Sequence, residues 1–257
     1  MSASGVREAY EAAARLWAEG PGPVYARLAD ALLAAAGGEL AGRRVLDLGA
    51  GTGVAGRAAL AAGARSVVCA DSALPMLRRC GAGLRPVAAD AAALPFRDGR
   101  FDLVLAAFCL GHLPDPAAGL REARRVAAGL AASSFAAGWN HPAKAAVDEV
   151  LGSFGYRPPP WYVTFKRDTE PWASDPAALR RDTTAAGFTH VRLRTVRVEV
   201  GRSSPAELAS WRLGMAHVAP FVCSLPAARR AELRHAAQAA VTGTGPLVVS
   251  MLVLTAR

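Results

Sequence analysis

Three carboxylates, each at the end of a short apolar run, are the residues whose chemistry and spacing stand out first. Asp47 lies in the glycine-rich run VLDLGAGTG at 45–53, Asp71 follows the middle glycine of that run by twenty residues, and Asp90 ends a third run. At that distance from a glycine turn, Asp71 can accept hydrogen bonds from both hydroxyls of a ribose. Asp90 can accept from an exocyclic amine while the N–H of Ala91 donates to a ring nitrogen. Because Asp47 adds a negative charge, these residues together predict a site for a nucleoside that carries positive charge.

The elements that must position these residues alternate regularly from about residue 40 to residue 140. Strands that alternate with helices form a parallel sheet with helices on both faces. Ligands bind such sheets beyond the carboxyl ends of the strands, near the reversal of strand order. We therefore predict an α/β fold in which the three acids meet at one edge of a doubly wound sheet. The predicted strands of this part are RRVLDL, SVVCAD, LRPVAA, FDLVLAAF and LAASSFAAGW.

The flanking segments predict helices before the sheet and a helical insertion near its end. Helical spacing at 6–19 and 24–36 is interrupted by Gly-Pro-Gly-Pro at 20–23, and the proline- and aromatic-rich segment 153–172 predicts a loop. About 40 residues separate the last two predicted strands, which is far too long for a hairpin loop. The predicted division of the chain is an N-terminal helical cap at 1–40, an α/β core at 41–200, a helical substrate lid at 201–244 and a final core strand at 245–257.

Composition excludes several classes of protein. Of the 257 residues, 52% are hydrophobic and 20% charged, which excludes disorder. The longest apolar runs are shorter than the ~20 residues of a membrane-spanning helix. The net charge of +9 comes from scattered arginine pairs, which argues against a nucleic-acid partner. The four cysteines contain no C-x-x-C pair and predict no metal site, and the N-terminus lacks the apolar segment of a signal peptide, so we expect a cytoplasmic protein.

Four stretches of the sequence carry a resemblance to a known family: VLDLGAGTG at 45–53, Asp71, Asp90-Ala91, and LPFRDGRFDLVLAAFCLGHLPDP at 94–116. Over roughly residues 40–140 the chain resembles the class I S-adenosylmethionine-dependent methyltransferases. It is most similar to the small-molecule branch that includes the ubiquinone/menaquinone C-methyltransferases. The resemblance implies a Rossmann-like seven-stranded sheet with helices on both faces. It also implies S-adenosyl-L-methionine as the cofactor and S-adenosyl-L-homocysteine as its product.

The resemblance further implies how the cofactor would lie. The methionine moiety would lie over Gly49 and Gly51, the ribose on Asp71, and the adenine beside Asp90 and Ala91. The full set of predicted cofactor-binding residues is Asp47, Gly49, Ala50, Gly51, Gly53, Asp71, Ser72, Met76, Asp90, Ala91 and Phe108.

A methyl acceptor must be positioned, and a carbon or hydroxyl acceptor also benefits from a general base. His112, after the fourth predicted strand, and His141, after the fifth, are the predicted catalytic residues. Aromatic side chains concentrate outside the sheet, which indicates a small hydrophobic or aromatic metabolite, with C- or O-methylation favoured and secondary metabolism as a setting. We expect a monomer or homodimer. The predicted substrate-contacting residues are Tyr10, Trp17, Tyr25, Trp161, Trp211, Met215 and His217.

Three other functions fit parts of the sequence. Residues 51–56 satisfy the G-x-G-x-x-G pattern of NAD(P)-dependent oxidoreductases, but the pattern starts late relative to its strand. Residues 158–161 partly match the [NDS]-P-P-[YFW] motif of nucleic-acid methyltransferases, but Pro158 replaces the polar residue that would bind the amine. The sequence also leaves open a protein that binds the cofactor and uses its sulfonium charge without transferring methyl.

Overall fold

Seven strands form one mixed sheet in the computed structural model, which describes residues 3–38 and 40–257. The strand order is β3-β2-β1-β4-β5-β7-β6. The first five strands are parallel, and β7 runs antiparallel between β5 and β6. This confirms the predicted Rossmann-like sheet. The strands are β1 (Arg44–Leu48), β2 (Ser66–Asp71), β3 (Leu84–Ala88), β4 (Phe101–Ala107), β5 (Ala127–Phe135), β6 (Arg192–Glu199) and β7 (Val248–Ala256).

The reversal of strand order lies between β1 and β4, which are adjacent although two strands separate them in the chain. Both strands are almost continuously apolar because helices cover both faces of the sheet; Leu46, Val104 and Leu105 are fully buried. From β1 the chain continues to β2 on one side of this pair, and from β4 it continues to β5 on the opposite side. A crevice therefore opens beyond the carboxyl ends of these two strands.

Helices precede, separate and follow the strands. Pro21 stands in the first turn of α2, where a proline needs no N–H partner, so the break between the first two helices is Gly20 alone and shorter than predicted. The helix after β2 starts at Leu74 with Ala73 at its N-cap, so Ser72 lies outside it. The helices are α1 (Ala3–Glu19), α2 (Pro21–Ala35), α3 (Val54–Ala61), α4 (Leu74–Leu77), α5 (Pro116–Val126), α6 (Pro142–Ser153), α7 (Pro160–Thr164), α8 (Glu170–Ser174), α9 (Pro176–Ala185), α10 (Pro205–Leu213), α11 (Ala219–Ser224) and α12 (Ala227–Ala240).

The prediction of a loop over 153–172 is wrong for its second half. That half is helical: α7 leads into a π-helical turn at Phe165–Thr169 and then into α8. Pro160 and Pro171 occupy the first turns of α7 and α8, where proline is compatible with a helix. The helical backbone holds the aromatic side chains of this segment in fixed directions.

The helices between β6 and β7 pack against the N-terminal helices and against α6. Ser204 and Glu207 form a capping box at the start of α10. Arg212 of α10 forms two hydrogen bonds to Asp148 of α6, at 2.8 and 2.7 Å. Through these contacts α10 is attached to both of its neighbours, which matters because it carries Trp211 and leads directly into Met215 and His217, three of the predicted substrate residues. Within the described residues, no helix combines the length and apolar character needed to cross a membrane.

The approach of α10 to the junction between α1 and α2 gives a stability prediction. A Cβ at Gly20 would overlap the backbone carbonyl oxygen of Ser210 in α10, which cannot move without shifting the helix. We expect Gly20→Ala to lower the free energy of unfolding by about 1–3 kcal/mol. The control is Gly152→Ala in α6, where a Cβ meets open space; this change should raise stability by about 0.5–1 kcal/mol. Urea denaturation measures both, and a Gly20→Ala protein as stable as the wild type would contradict the close approach.

Candidate functional site

A cavity of about 490 Å³ fills the crevice beyond β1 and β4. This volume lies within the range of small-molecule sites, about 300–1,000 Å³. The ends of β1, β2 and β3 all contribute to its wall, as does the start of the loop after β4. We call it the larger cavity. Of the predicted cofactor residues it is lined by Asp47, Gly49, Ala50, Gly51, Asp71, Ser72, Met76, Asp90, Ala91 and Phe108.

The glycine turn after β1 needs backbone conformations that other residues rarely adopt. Gly49 and Gly51 have φ of 65° and 54°. A Cβ at Gly49 would also overlap the side chain of Cys109, so the turn lies directly against the loop after β4. Gly53 has φ of 75° but lies outside the larger cavity, at the N-cap of α3, where a Cβ would lie 2.7 Å from Leu84 Cδ1. The prediction that Gly53 contacts a ligand does not fit this placement. A glycine is needed at this position for the turn into α3.

Asp71 joins the end of β2 to this turn. Its Oδ2 accepts a hydrogen bond from the N–H of Gly51 at 2.8 Å, and its Oδ1 accepts one from the N–H of Ala73 at 2.8 Å. Burial raises the pKa of the Asp71 carboxyl above its ordinary value. Each carboxylate oxygen keeps a further lone pair, so Asp71 can still accept two hydrogen bonds from a ligand.

Asp47 and Asp90 complete the acidic set. Asp47 is only 1% exposed, and its Oδ2 accepts from the N–H of Gly56 at 2.8 Å in the first turn of α3. Burial raises the pKa of the Asp47 carboxyl to about 7. A carboxylate in such a place is stabilised by a cationic ligand, because no cation of the described residues forms an ion pair with it. Asp90 is exposed at the end of β3, and its Oδ1 accepts from the N–H of Ala92 at 2.9 Å.

A second, smaller cavity of about 80 Å³ adjoins the first, and both are lined by Tyr10, Tyr25, Phe108 and His112. We call these four residues the boundary. Trp17, predicted to contact substrate, lines only the larger cavity, where its ring lies 5.2 Å from that of Tyr25. The other predicted substrate residues all line the smaller cavity: Tyr10, Tyr25, Trp161, Trp211, Met215 and His217.

Two rows of rings run from the boundary along the smaller cavity. In the first row, Phe108 lies 4.7 Å from Phe135, whose ring stacks on Trp139 at 4.6 Å and an interplanar angle of 10°. The second row contains two stacked pairs: His112 with Phe165 at 4.5 Å, and Tyr162 with His217 at 3.7 Å. Such surfaces suit a planar, apolar ligand.

Charged groups lie at the far end of the first row. The Lys144 ammonium lies 4.9 Å from the centre of the Trp139 ring. Burial, and secondarily the charge of Arg212, lowers the pKa of Lys144 to about 8. Arg212 is itself buried and is held by its two hydrogen bonds to Asp148. The smaller cavity therefore combines aromatic walls with a basic end.

The two predicted catalytic histidines have different surroundings. His112 ends the short 3₁₀ turn Leu110–His112 at the boundary, and burial lowers its pKa to about 4, so the imidazole is neutral at pH 7. Its Nδ1 is buried without a hydrogen-bond partner among the described residues. His141 lines neither cavity. Its Nδ1 accepts from the N–H of Ala143 at the start of α6, and its Nε2 lies 3.2 Å from the carbonyl oxygen of Pro246, so its ring has a structural position and not the predicted catalytic one.

Several residues of the smaller cavity were not predicted. The end of β5 contributes some of them, and the rule that ligands bind at the carboxyl ends of strands could have found these. Lys144 is one of only two lysines in the sequence, but rarity alone does not place a residue at a site. The remainder depend on helix orientations that no spacing reveals. The unpredicted residues are Gly111, Ser133, Ser134, Phe135, Trp139, Lys144, Phe165, Glu170, Ala173, Arg212 and Ala216.

Comparisons with known proteins agree with this geometry. A family model described as a methyltransferase domain matches residues 46–129, from β1 into β5. A demethylmenaquinone methyltransferase of Mycolicibacterium gilvum is 36% identical over 165 residues, covering 60% of this chain and 71% of that protein. One from Renibacterium salmoninarum is 40% identical over 93 residues, which cover 35% of this chain and only 38% of that protein.

The fold is also found in solved structures. The [4+2]-cyclase SpnF superposes with a TM-score of 0.54 at 20% identity, covering 90% of this chain and 80% of that one. This likeness concerns the fold alone, because one fold carries many chemistries. The relative from M. gilvum is similar over enough of its length to decide the family. With the glycine turn, the acids at the ends of β2 and β3 and this strand order, the chain belongs to the class I S-adenosylmethionine-dependent methyltransferases.

Proposed function

We propose that this protein transfers a methyl group from S-adenosylmethionine to a small hydrophobic or aromatic metabolite. The observation that carries the proposal is the boundary: Tyr10, Tyr25, Phe108 and His112 line both a cavity suited to a cationic nucleoside and an aromatic cavity. A group bound in one cavity therefore meets a group bound in the other without leaving the protein. Two adjoining cavities of different chemistry are what a group-transfer enzyme needs.

The residues of the larger cavity fit the cofactor. Asp71 would hold the ribose hydroxyls, Asp90 and Ala91 the adenine, and the backbone of Gly49 and Gly51 the methionine moiety. Asp47 supports this assignment, since its buried carboxylate lies where a positive charge would offset its desolvation. When bound, S-adenosylmethionine supplies an activated methyl group on a sulfonium sulfur. The protein has only to position the acceptor and exclude water.

The boundary residues would carry out both tasks. Tyr10 and Tyr25 have pKa values raised by burial, so both phenols stay neutral and close the boundary without adding charge. Phe108 packs edge-on against Tyr25, with ring centres 5.2 Å apart. His112 presents a neutral imidazole whose Nδ1 has no partner within the described residues. This nitrogen can accept a proton from a carbon or hydroxyl acceptor, so C- and O-methylation are the reactions that we favour.

The direct test is product formation. Protein is incubated with S-adenosylmethionine and a low-molecular-mass cell extract, and S-adenosylhomocysteine is quantified. We expect extract-dependent product with the wild type.

We also expect about a tenfold to hundredfold loss of S-adenosylhomocysteine affinity in Asp71→Asn, because the ribose loses a charged acceptor. Asp30→Asn, an equal charge change on the exposed face of α2, should leave that affinity unchanged.

Two results of this test would contradict the proposal. Cofactor binding without product in any extract would indicate a protein that uses the sulfonium without transferring methyl. Unchanged calorimetric affinity in Asp71→Asn would remove Asp71 from the site.

Asp47 predicts a pH dependence of cofactor binding. With a pKa of about 7, the carboxyl is neutral well below pH 7 and negative above it. A cationic ligand prefers the negative form, so the affinity for S-adenosylmethionine should fall as the pH decreases through about 7, approaching tenfold per pH unit on the acid side. Calorimetry from pH 5.5 to 7.5 measures this slope. In Asp47→Asn the affinity should be weaker and its slope should disappear, whereas an equal slope in the variant would assign the titration to another group.

The position of His112 predicts that its replacement lowers turnover more than it lowers cofactor affinity. If Nδ1 accepts the proton, His112→Ala should lower kcat about a hundredfold while the cofactor Kd changes less than about threefold. Because the pKa of His112 is about 4, protonation of this residue should not reduce the rate until the pH approaches that value. His235→Ala, on the exposed face of α12, is the matched control. Equal losses of kcat and cofactor affinity would mean that His112 only shapes the boundary.

A further inference from the structure

The smaller cavity contains more polar capacity than an apolar ligand would use. Four buried side-chain atoms that belong to its lining residues have no hydrogen-bond partner among the described residues. Buried polar groups in folded proteins nearly always have a hydrogen-bond partner, and leaving such a group without one costs free energy. Ser133, Trp211 and His217 are each at least nine-tenths buried. The atoms are His112 Nδ1, Ser133 Oγ, Trp211 Nε1 and His217 Nε2.

The charges around this cavity do not cancel. Asp148 neutralises Arg212, and Lys166 forms an ion pair with Glu170. Lys144 forms no ion pair with any carboxylate of the described residues, although it lines the same cavity. One positive charge is therefore left over. Holding a partly buried ammonium without a counter-charge is unfavourable, and an anion placed beside it would remove that cost.

The position of the ammonium relates this charge to the boundary. Lys144 lies over Trp139, Trp139 stacks on Phe135, and Phe135 lies against Phe108 of the boundary. A molecule that packs along this row has one end at the boundary and the other at Lys144. The smaller cavity, at about 80 Å³, suits a compact molecule.

From these observations, and resting on the proposed function, we infer that the methyl acceptor is a compact aromatic acid. Its ring lies along the row of Phe108, Phe135 and Trp139, its carboxylate pairs with Lys144, and its reacting group lies at the boundary. Lys144 is then a specificity-determining residue, since a charge-assisted hydrogen bond favours the acid over its neutral analogue. The same charge repels amines, so amine acceptors are disfavoured.

Calorimetry with three matched probes tests this inference. The probes are 4-hydroxybenzoate, 4-hydroxybenzamide and 4-hydroxybenzylamine, which differ chiefly in the charge opposite the hydroxyl. Titrations are made at pH 7, where Lys144 is protonated, with and without saturating S-adenosylhomocysteine. We expect the wild type to bind the benzoate about tenfold or more tightly than the benzamide and to bind the benzylamine most weakly.

Three variants identify the source of this preference. Lys144→Met keeps the apolar stem of the side chain and should abolish the preference for the benzoate, whereas Lys144→Arg should retain it. Arg234→Met removes the same charge from the exposed face of α12 and should leave the preference intact. All three should bind S-adenosylhomocysteine as the wild type does, which also shows that they are folded.

The inference is overturned if the wild type binds the amide or the amine as tightly as the benzoate, if it binds none of the three, or if Lys144→Met keeps the preference. Failure of the proposed function would give a different result, because S-adenosylhomocysteine itself would then not bind, or would never be produced. The probe titrations without S-adenosylhomocysteine still decide the role of Lys144 in that case.

Discussion

The hydrogen bond from the N–H of Gly51 to Asp71 Oδ2, at 2.8 Å, is the interaction on which the site depends. It joins the turn after β1 to the end of β2, and it fixes the direction in which the carboxylate presents its remaining lone pairs. The turn can approach Asp71 and Cys109 so closely only because Gly49 and Gly51 adopt positive φ. With this contact made, the acids at three strand ends face one cavity.

Much of this edge of the sheet is predictable from sequence, for a physical reason. Parallel strands place successive carboxyl ends side by side, so acids that end neighbouring strands must lie close together. Asp47, Asp71 and Asp90 all line the larger cavity as a result. Gly53 has a positive φ like Gly51, yet it stands at the N-cap of α3 and outside the larger cavity. The sequence does not distinguish a glycine that is needed for a turn from one that faces a ligand.

The helical parts of the site were harder to predict because orientation depends on packing. His141 and Lys144 are three residues apart at the start of α6, but the histidine ring bonds to backbone groups while the lysine lines the smaller cavity. Proline content suggested a loop where α7 and α8 hold Trp161 and Glu170 at the cavity. Likewise Trp17 lines the larger cavity, although its spacing is equally compatible with the smaller one. These outcomes follow from tertiary contacts, which leave no trace in local spacing.

For methyl transfer to occur as proposed, the larger cavity must hold the cofactor and the smaller one the acceptor. The most direct measurement is a crystal structure of the protein soaked with S-adenosylhomocysteine. We predict density in the larger cavity, with both ribose hydroxyls on Asp71 and the sulfur directed at Phe108 and His112. An empty crevice, or one filled by a dinucleotide, would contradict this arrangement and leave only the α/β architecture.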